Sequence, residues 1–376
     1  LKITTLAAPF AASVLLLAGS VACASPEQSG DAERTQPGVK AAEATSAEDF
    51  GGIGGLIAAA KNEGELNVIA LPPDWANYGA IIRAFSDKYG ITVNSAQPDA
   101  SSQEEIDAAN QQKRSDTAPD VFDLGQSVAL ANTGMFAPYK VVNFDDIPSA
   151  FKDRDGAWVN DYGGYMSIGY DSAKVPPVTR IDDLLKPEYR SAVALNGDPA
   201  QAGAAFSGVV MVALSQGGSV DDIAPGVEFF QKLADAGNFV PVNPTSATIE
   251  SGQTPVVIDW NYVNAAESKK LPSWQVLVPP DYTVAGYYYQ AINKDAPHPA
   301  AARLWQEFLY SDEGQNLLAL GGVRPVRADN MAADGTLDKA AAESLPVING
   351  PVTVPSPQQT EAATKYLAEH WAAAIG

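Results

Sequence analysis

The chain has 376 residues, room for roughly two domains on a prior of about 150 residues each. Its 24 Lys and Arg against 45 Asp and Glu give a net charge of −21, which argues against nucleic acid as a partner because phosphates need clustered cations. One cysteine allows no intramolecular disulfide framework or cysteine zinc cluster, and two histidines, His298 and His370, leave little room for histidine-based hydrolysis.

Residues 1–22 carry one early cation, Lys2, then an apolar run over residues 6–22 that is too short for a membrane span and ends in small side chains, as an export signal does. The segment Gly19-Ser20-Val21-Ala22-Cys23 resembles the lipobox of bacterial lipoproteins, with Ser20 where a larger aliphatic residue is usual. The resemblance implies that Cys23 becomes the lipid-bearing first residue of an exported chain. A plain signal peptide with an incidental cysteine is the alternative. Residues 23–49 are expected to be a lipidated flexible tether, because the stretch over 24–47 has almost no large apolar side chain to bury.

From Ile53 onward the pattern alternates. Ile53, Leu56, Ile57 and Ala60 predict a helix stopped at Asn62-Glu63-Gly64, and Leu66, Val68 and Ala70 a strand closed by Pro72-Pro73. Ile81, Phe85 and Tyr89 mark a helix ending at Gly90, before a strand at Ile91-Thr92-Val93. Ser101-Ser102 followed by Glu104-Glu105 is a helix-capping signature, and Asp120-Val121-Phe122-Asp123-Leu124 is a strand. The pattern restarts with a strand at Val193-Ala194-Leu195, helices over 202–214 and 227–236, and a strand at Val256-Val257-Ile258-Asp259. Such alternation predicts an α/β protein of two lobes, each with a central mixed, mostly parallel sheet.

The order of short motifs resembles the bacterial extracellular solute-binding proteins of ABC importers. The likeness is to the two-lobed, type 2 periplasmic binding branch that includes ferric-iron, polyamine, thiamine and phosphonate binders. The matching pieces include Ala58-Ala59-Ala60-Lys61-Asn62-Glu63-Gly64-Glu65-Leu66, Phe85-Ser86-Asp87-Lys88-Tyr89-Gly90-Ile91 and Ala118-Pro119-Asp120-Val121. Further on come Ile168-Gly169-Tyr170-Asp171, Asp182-Asp183-Leu184-Leu185-Lys186-Pro187-Glu188-Tyr189, Val193-Ala194-Leu195-Asn196-Gly197-Asp198-Pro199, and the run from Ala291 through His298 to Gln315. The resemblance implies a chain that crosses twice between lobes, near residues 164–170 and 284–291. Lobe 1 is then 50–165 plus 287–322, and lobe 2 is 166–286 plus 323–376. It implies capture of a small solute outside the cell membrane by a monomer, without a cofactor or covalent chemistry, and delivery to permease subunits of an ABC transporter.

Ligands of open α/β sheets bind beyond the carboxyl ends of strands. Here those ends carry Asp74-Trp75 with Tyr78, Asp123 with Gln126-Ser127, Asn196-Gly197-Asp198 and the run Asp259-Trp260-Asn261-Tyr262. Aromatic faces attract cations and carboxylates balance them, so an organic cation of polyamine type is expected between Asp198, Asp259, Trp75, Trp260, Tyr262, Tyr287 and Tyr288. The alternative is an anion of phosphate or phosphonate type on the helix starts at Ser102 and Gly203, with Arg324 reaching in, or ferric iron on tyrosines of the Tyr287-Tyr288-Tyr289 triplet. In a regular strand Tyr287 and Tyr289 would face one way and Tyr288 the other. No metal ligand set is assigned. An acidic secreted hydrolase is the outside class, and it lacks support: there is no G-x-S-x-G, H-E-x-x-H or phosphate loop, and the adjacent acids Asp145-Asp146, Asp182-Asp183 and Asp221-Asp222 read as helix caps.

Overall fold

The computed structural model describes residues 34–36, 39–346, 348 and 350–376, so the export-signal expectation and Cys23 lie outside the described residues. Two short strands, β1 (Arg34–Gln36) and β2 (Val39–Lys40), pair with each other. Then come α1 (Ile53–Glu63), β3 (Glu65–Ile69), α2 (Tyr78–Tyr89), β4 (Thr92–Ala96), α3 (Ser102–Gln111), β5 (Val121–Leu124) and α4 (Gln126–Ala131). The middle of the chain holds β6 (Phe136–Ala137), a long β7 (Val159–Asp171), β8 (Val193–Leu195), α5 (Gly203–Ser215), α6 (Ala224–Asp235), α7 (Ser246–Ser251), β9 (Val256–Trp260), α8 (Asn261–Lys270) and β10 (Trp274–Leu277). A second long strand, β11 (Thr283–Asn293), leads to α9 (Pro299–Leu309), α10 (Asp312–Leu320), β12 (Arg324–Pro325), α11 (Ala328–Asp334) and α12 (Lys339–Ser344). The last elements are β13 (Val352–Thr353) and α13 (Pro357–Ile375).

Local chemistry accounts for the helix ends. Gly64 and Gly90 stop α1 and α2 in the left-handed conformation, at φ of 78° and 70°. Ser101 and Glu104 cap α3 reciprocally. The first N–H groups of α9 find an acceptor far away in sequence: the Glu63 carboxylate takes Ala300 N–H at 3.0 Å and Ala301 N–H at 2.7 Å. Pro299 occupies the first turn of α9, and Leu304, Trp305, Phe308 and Leu309 are buried, Phe308 lying edge-on to Phe85 and Tyr89. His298 before it is structural, its backbone N–H and Nδ1 reaching the two oxygens of buried Asp120 at 2.7 and 2.9 Å. Far from it, His370 stacks on Tyr366 at the surface.

β7 and β11 run antiparallel, with Ala285 opposite Tyr165 and Gln290 opposite Val159. Beyond that overlap each changes partners. The later part of β7 pairs with β9 and β10, and the later part of β11 pairs with β5 and β6. The segments expected as lobe crossings are therefore parts of these two strands. Between named strands of the described residues, parallel pairing is confined to β3 with β4, β8 with β9 and β11 with β13, with isolated parallel bridges at Ser46–Lys140 and Val193–Phe239. The mixed sheet expected from alternation is present, and its antiparallel share is the larger because two long strands of opposite direction run through its middle and give their neighbours antiparallel partners.

A correction concerns the tether. Residues 41–43 and 47–50 form short 3-10 turns, and Ala41, Ala44, Ala47 and Phe50 are buried. The buried Arg303 guanidinium of α9 donates to Ala44 O at 2.8 Å and Ala42 O at 3.0 Å. The buried side chains here are mostly small alanines, so a composition poor in large apolar residues concealed a packed segment. The adjacent acids divide by role. Asp183 and Asp222 accept backbone N–H groups at turns, whereas Asp146 pairs with buried Arg327 at 3.0 Å.

Candidate solute-binding cavity

A cavity of about 330 Å³ opens where the two long strands meet the starts of α4 and α5. Gly125, Gln126 and Ser127 bring α4 to it, and Gly203, Phe206 and Ser207 bring α5. These starts nearly touch, since a Cβ on Gly125 would stand 3.3 Å from the Gly203 Cα. Only glycine at position 125 leaves that approach free of side chain. Ser102, at the head of α3, holds the turn in place: its Oγ accepts Gly125 N–H at 2.9 Å. The remaining walls are Phe151, Trp158 and Asn160 before and within β7, Trp260 at the end of β9, residues 285–289 of β11, and Val354, Pro355, Ser356, Pro357 and Thr360 near the C-terminus.

The tyrosine triplet does not follow strand alternation. Tyr287 pairs with Gly163 and Tyr289 with Asn160, so two steps along β11 face three along β7. Such a bulge re-aims side chains, and all three tyrosines reach the cavity. Tyr287 packs on Phe151 with centroids 4.5 Å apart, and Tyr289 on Trp158 at 4.7 Å. Tyr288 stacks on Tyr162 at 5.3 Å, and its hydroxyl accepts Trp260 Nε1–H at 3.3 Å. Behind this wall, Trp75 is edge-on to Tyr262 and Tyr288 and donates from Nε1 to the Tyr162 hydroxyl at 2.7 Å.

The carboxylates take structural posts. Asp198 is exposed and accepts Ala200 N–H, bracing the loop before α5. Asp74 forms a surface ion pair with Lys270 at 2.8 Å. Asp259 is only 1 % exposed, and its oxygens accept Trp260 N–H at 2.7 Å and Asn196 Nδ2–H at 2.8 Å. Burial pushes its pKa up to about 7 against those two bonds. Asp123 accepts from the hydroxyls of Tyr78 and Tyr162, each at 2.9 Å, while Asp161 lies 3.2 Å from the same Tyr78 hydroxyl. Burial raises both acids, and repulsion from Asp123 raises Asp161 further. Arg324 is tied to Asp329 at 2.6 Å, beside Tyr287.

Of the residues singled out in the sequence, Gly203, Trp260, Tyr287 and Tyr288 line the cavity. Trp75, Ser102 and Tyr262 support its walls from behind, and Asp123 anchors Tyr162 in the layer below. Asp74, Asp198 and Asp259 are absent from the lining, and so is every other acidic or basic side chain. The acids expected to clasp a cation are therefore directed elsewhere, because loop bracing, surface pairing and strand-end hydrogen bonds already use them. Gln126 and Ser127, named in the sequence beside Asp123, also line it, whereas the polar contributors Asn160, Ser207 and Thr360 were not singled out. Nothing in their local sequence marks them, although Ser356-Pro357 with Gln359 is a legible helix start that brings Thr360 into place.

A family model described as bacterial extracellular solute-binding protein matches residues 118–346. No curated protein matches the chain. Among solved structures, it is similar to the periplasmic binding protein AgtB from A. tumefacien R10 in complex with agropinic acid, with TM-score 0.67 and 17% identity over 83% of this chain and 98% of that one. A ferric binding protein from Campylobacter jejuni gives TM-score 0.60 and 17% identity over 82% of this chain and 99% of that one. The spermidine/putrescine substrate-binding protein PotD from Streptococcus pneumoniae gives 0.55 and 14% over 83% and 99%. At such identities these likenesses establish the fold.

Proposed function

The chain belongs to the bacterial extracellular solute-binding proteins, and from that premise we propose that its cavity holds a small acidic solute with a flat ring, of phosphate, phosphonate or carboxylate type. As a member of that family it is a binder and not an enzyme, it works outside the cytoplasm, and its partners are a small solute and the permease of an ABC importer. The observation that carries the ligand reading is the lining, which contains no carboxylate, amine, guanidinium or imidazole. An organic cation enclosed there without an anion would cost several kcal/mol, which disfavours a polyamine. The start of the thirteen-residue α5 supplies backbone N–H groups and the positive end of a helix dipole, while Tyr287, Tyr288 and Trp260 supply flat faces. Neighbouring structures are named for ligands of both charges, and the uncharged lining beside the α5 start supports the acidic one.

Isothermal titration with fructose 6-phosphate, an aminoalkylphosphonate, a sugar acid, spermidine and ferric citrate tests this reading. Micromolar or tighter binding of an acidic member, with none of spermidine, is expected. Tight spermidine binding that weakens in Asp259→Asn would restore the cation alternative.

Closure follows from the same strands. Lobe 1 (50–165 plus 287–322) and lobe 2 (166–286 plus 323–376) would rotate about the stretch where β7 and β11 exchange partners, a reading supported by their pairing pattern. Small-angle scattering should show a smaller radius of gyration with solute bound, and an identical profile at saturation would count against rotation. The sequence around Cys23 supports a lipid anchor as the finer localisation. Cys23→Ser should release the protein from membranes, and a lipid-free mature N-terminus found elsewhere by mass spectrometry would remove the anchor.

A further inference from the structure

We infer that the C-terminal segment from Val352 to the end of α13 is a latch across the mouth of the solute cavity and one of its specificity-determining walls. This builds on the two-lobe reading above. The segment lies beyond the residues matched by the family model, which ends at 346, yet Val354, Pro355, Ser356, Pro357 and Thr360 all line the cavity.

The segment has a fixed end and a reaching end. Its fixed end is the second half of α13, where Leu367 is buried and Trp371 lies edge-on to Phe230 of α6 at 5.1 Å and to Phe239 at 6.2 Å. That half moves with α6. The reaching end is the first turn, where Ser356 and Gln359 cap each other and Pro357 sets the helix start. Thr360, 2 % exposed, donates from Oγ1 to Gln126 Oε1 of α4 at 2.7 Å, and Gln126 Nε2 lies 3.5 Å from Pro355 O. α6 belongs to one proposed lobe and α4 to the other. The Thr360–Gln126 bond therefore spans the line along which the lobes part, and opening must break it. In the closed arrangement the same turn presents proline and valine to the solute, so it admits a flat apolar edge and excludes bulk or charge at that side.

The latch can be tested without any solute, which keeps its fate separate from that of the ligand reading. Spin labels on Asn110→Cys (α3) and Glu228→Cys (α6), in a Cys23→Ser background, report the distance between the halves in the full chain. Thr360→Val, which keeps the shape and removes the donor, should raise the long-distance population several-fold and speed hydrogen exchange in the first turn of α13. Thr360→Ser, which keeps the hydroxyl, should match the wild type. Should Thr360→Val fail to fold, Gln126→Ala removes the acceptor from the other side and should open the lobes equally. A distance distribution and exchange rate unchanged from wild type in the folded variant would overturn the latch, even if the solute panel binds as proposed.

Discussion

Gly286 stands so close to Trp260 that a Cβ on it would lie 2.7 Å from the indole Cη2. The contact joins the middle of β11 to the end of β9, and it seats the indole whose Nε1 reaches the Tyr288 hydroxyl. Gly286→Ala should push Trp260 out of that position. A loss of about 1–3 kcal/mol from overpacking is expected in denaturant melts, together with a tenfold or greater fall in solute affinity by calorimetry. An affinity equal to wild type would show that the indole does not contact the ligand.

Asp259 predicts a pH dependence of stability. Its carboxyl titrates near 7 when folded, chiefly because it is buried, and near 4 when the chain is unfolded. Between those values the folded state holds a proton that the unfolded state has released. This contribution is therefore fully present below about pH 4, declines as pH rises to about 7, and is flat above. The buried Asp123–Asp161 pair, raised for the same reason, slopes the same way. Asp259→Asn should flatten part of the slope, on the order of 3–4 kcal/mol at most, once the Asn196 amide turns over to accept. Urea melts from pH 4 to 8 measure it, and an unaltered slope in the variant would assign the effect elsewhere.

Phe308 is fully enclosed between α2 and α9, edge-on to Phe85 and Tyr89. Phe308→Ala leaves a cavity there and should cost about 3–5 kcal/mol. A loss below about 1 kcal/mol would mean the site collapses around the smaller side chain.

Arg303 ties the segment over residues 41–50 to α9 through the carbonyls of Ala42 and Ala44. Arg303→Met keeps the apolar stem and leaves those acceptors unmet, at a cost of about 1–3 kcal/mol. Limited proteolysis should then cut within residues 40–50 under conditions where the wild type resists. Equal resistance would show that Ala41, Ala44 and Phe50 hold the segment without it.

What was legible in the sequence follows from where the deciding interactions lie. The helices α1, α2 and α3 and the strands β3, β5, β8 and β9 are specified by residues within a few positions, so periodicity and end signals located them. The long strands β7 and β11 pass through Gly163-Gly164 and Tyr287-Tyr288-Tyr289, are covered on both faces, and show no polar alternation. The expectation that they hold the lobe crossings came from resemblance alone. The aromatic wall was legible because Trp260 lies at a strand end and the three tyrosines are consecutive in the sequence. The acids were ambiguous in the sequence, since an aspartate that braces a turn and one that clasps a ligand look identical until the hydrogen bonds of Asp198 and Asp259 are seen. Ala363, Leu367 and Trp371 recur every four residues and could have announced α13, but its return to the cavity mouth depends on the long-range seat against Phe230.

The placement of tryptophan gives the molecule a built-in optical readout. Of the six indoles in the sequence, Trp158 and Trp260 face the cavity and Trp75 touches Tyr288 from behind, whereas Trp274, Trp305 and Trp371 are buried in packed regions away from it. A bound ring would quench or shift emission from the first group and leave the second as a constant background. Solute occupancy should be countable from intrinsic fluorescence alone, with no dye attached, and Trp260→Phe should remove part of the changing signal while leaving the background intact.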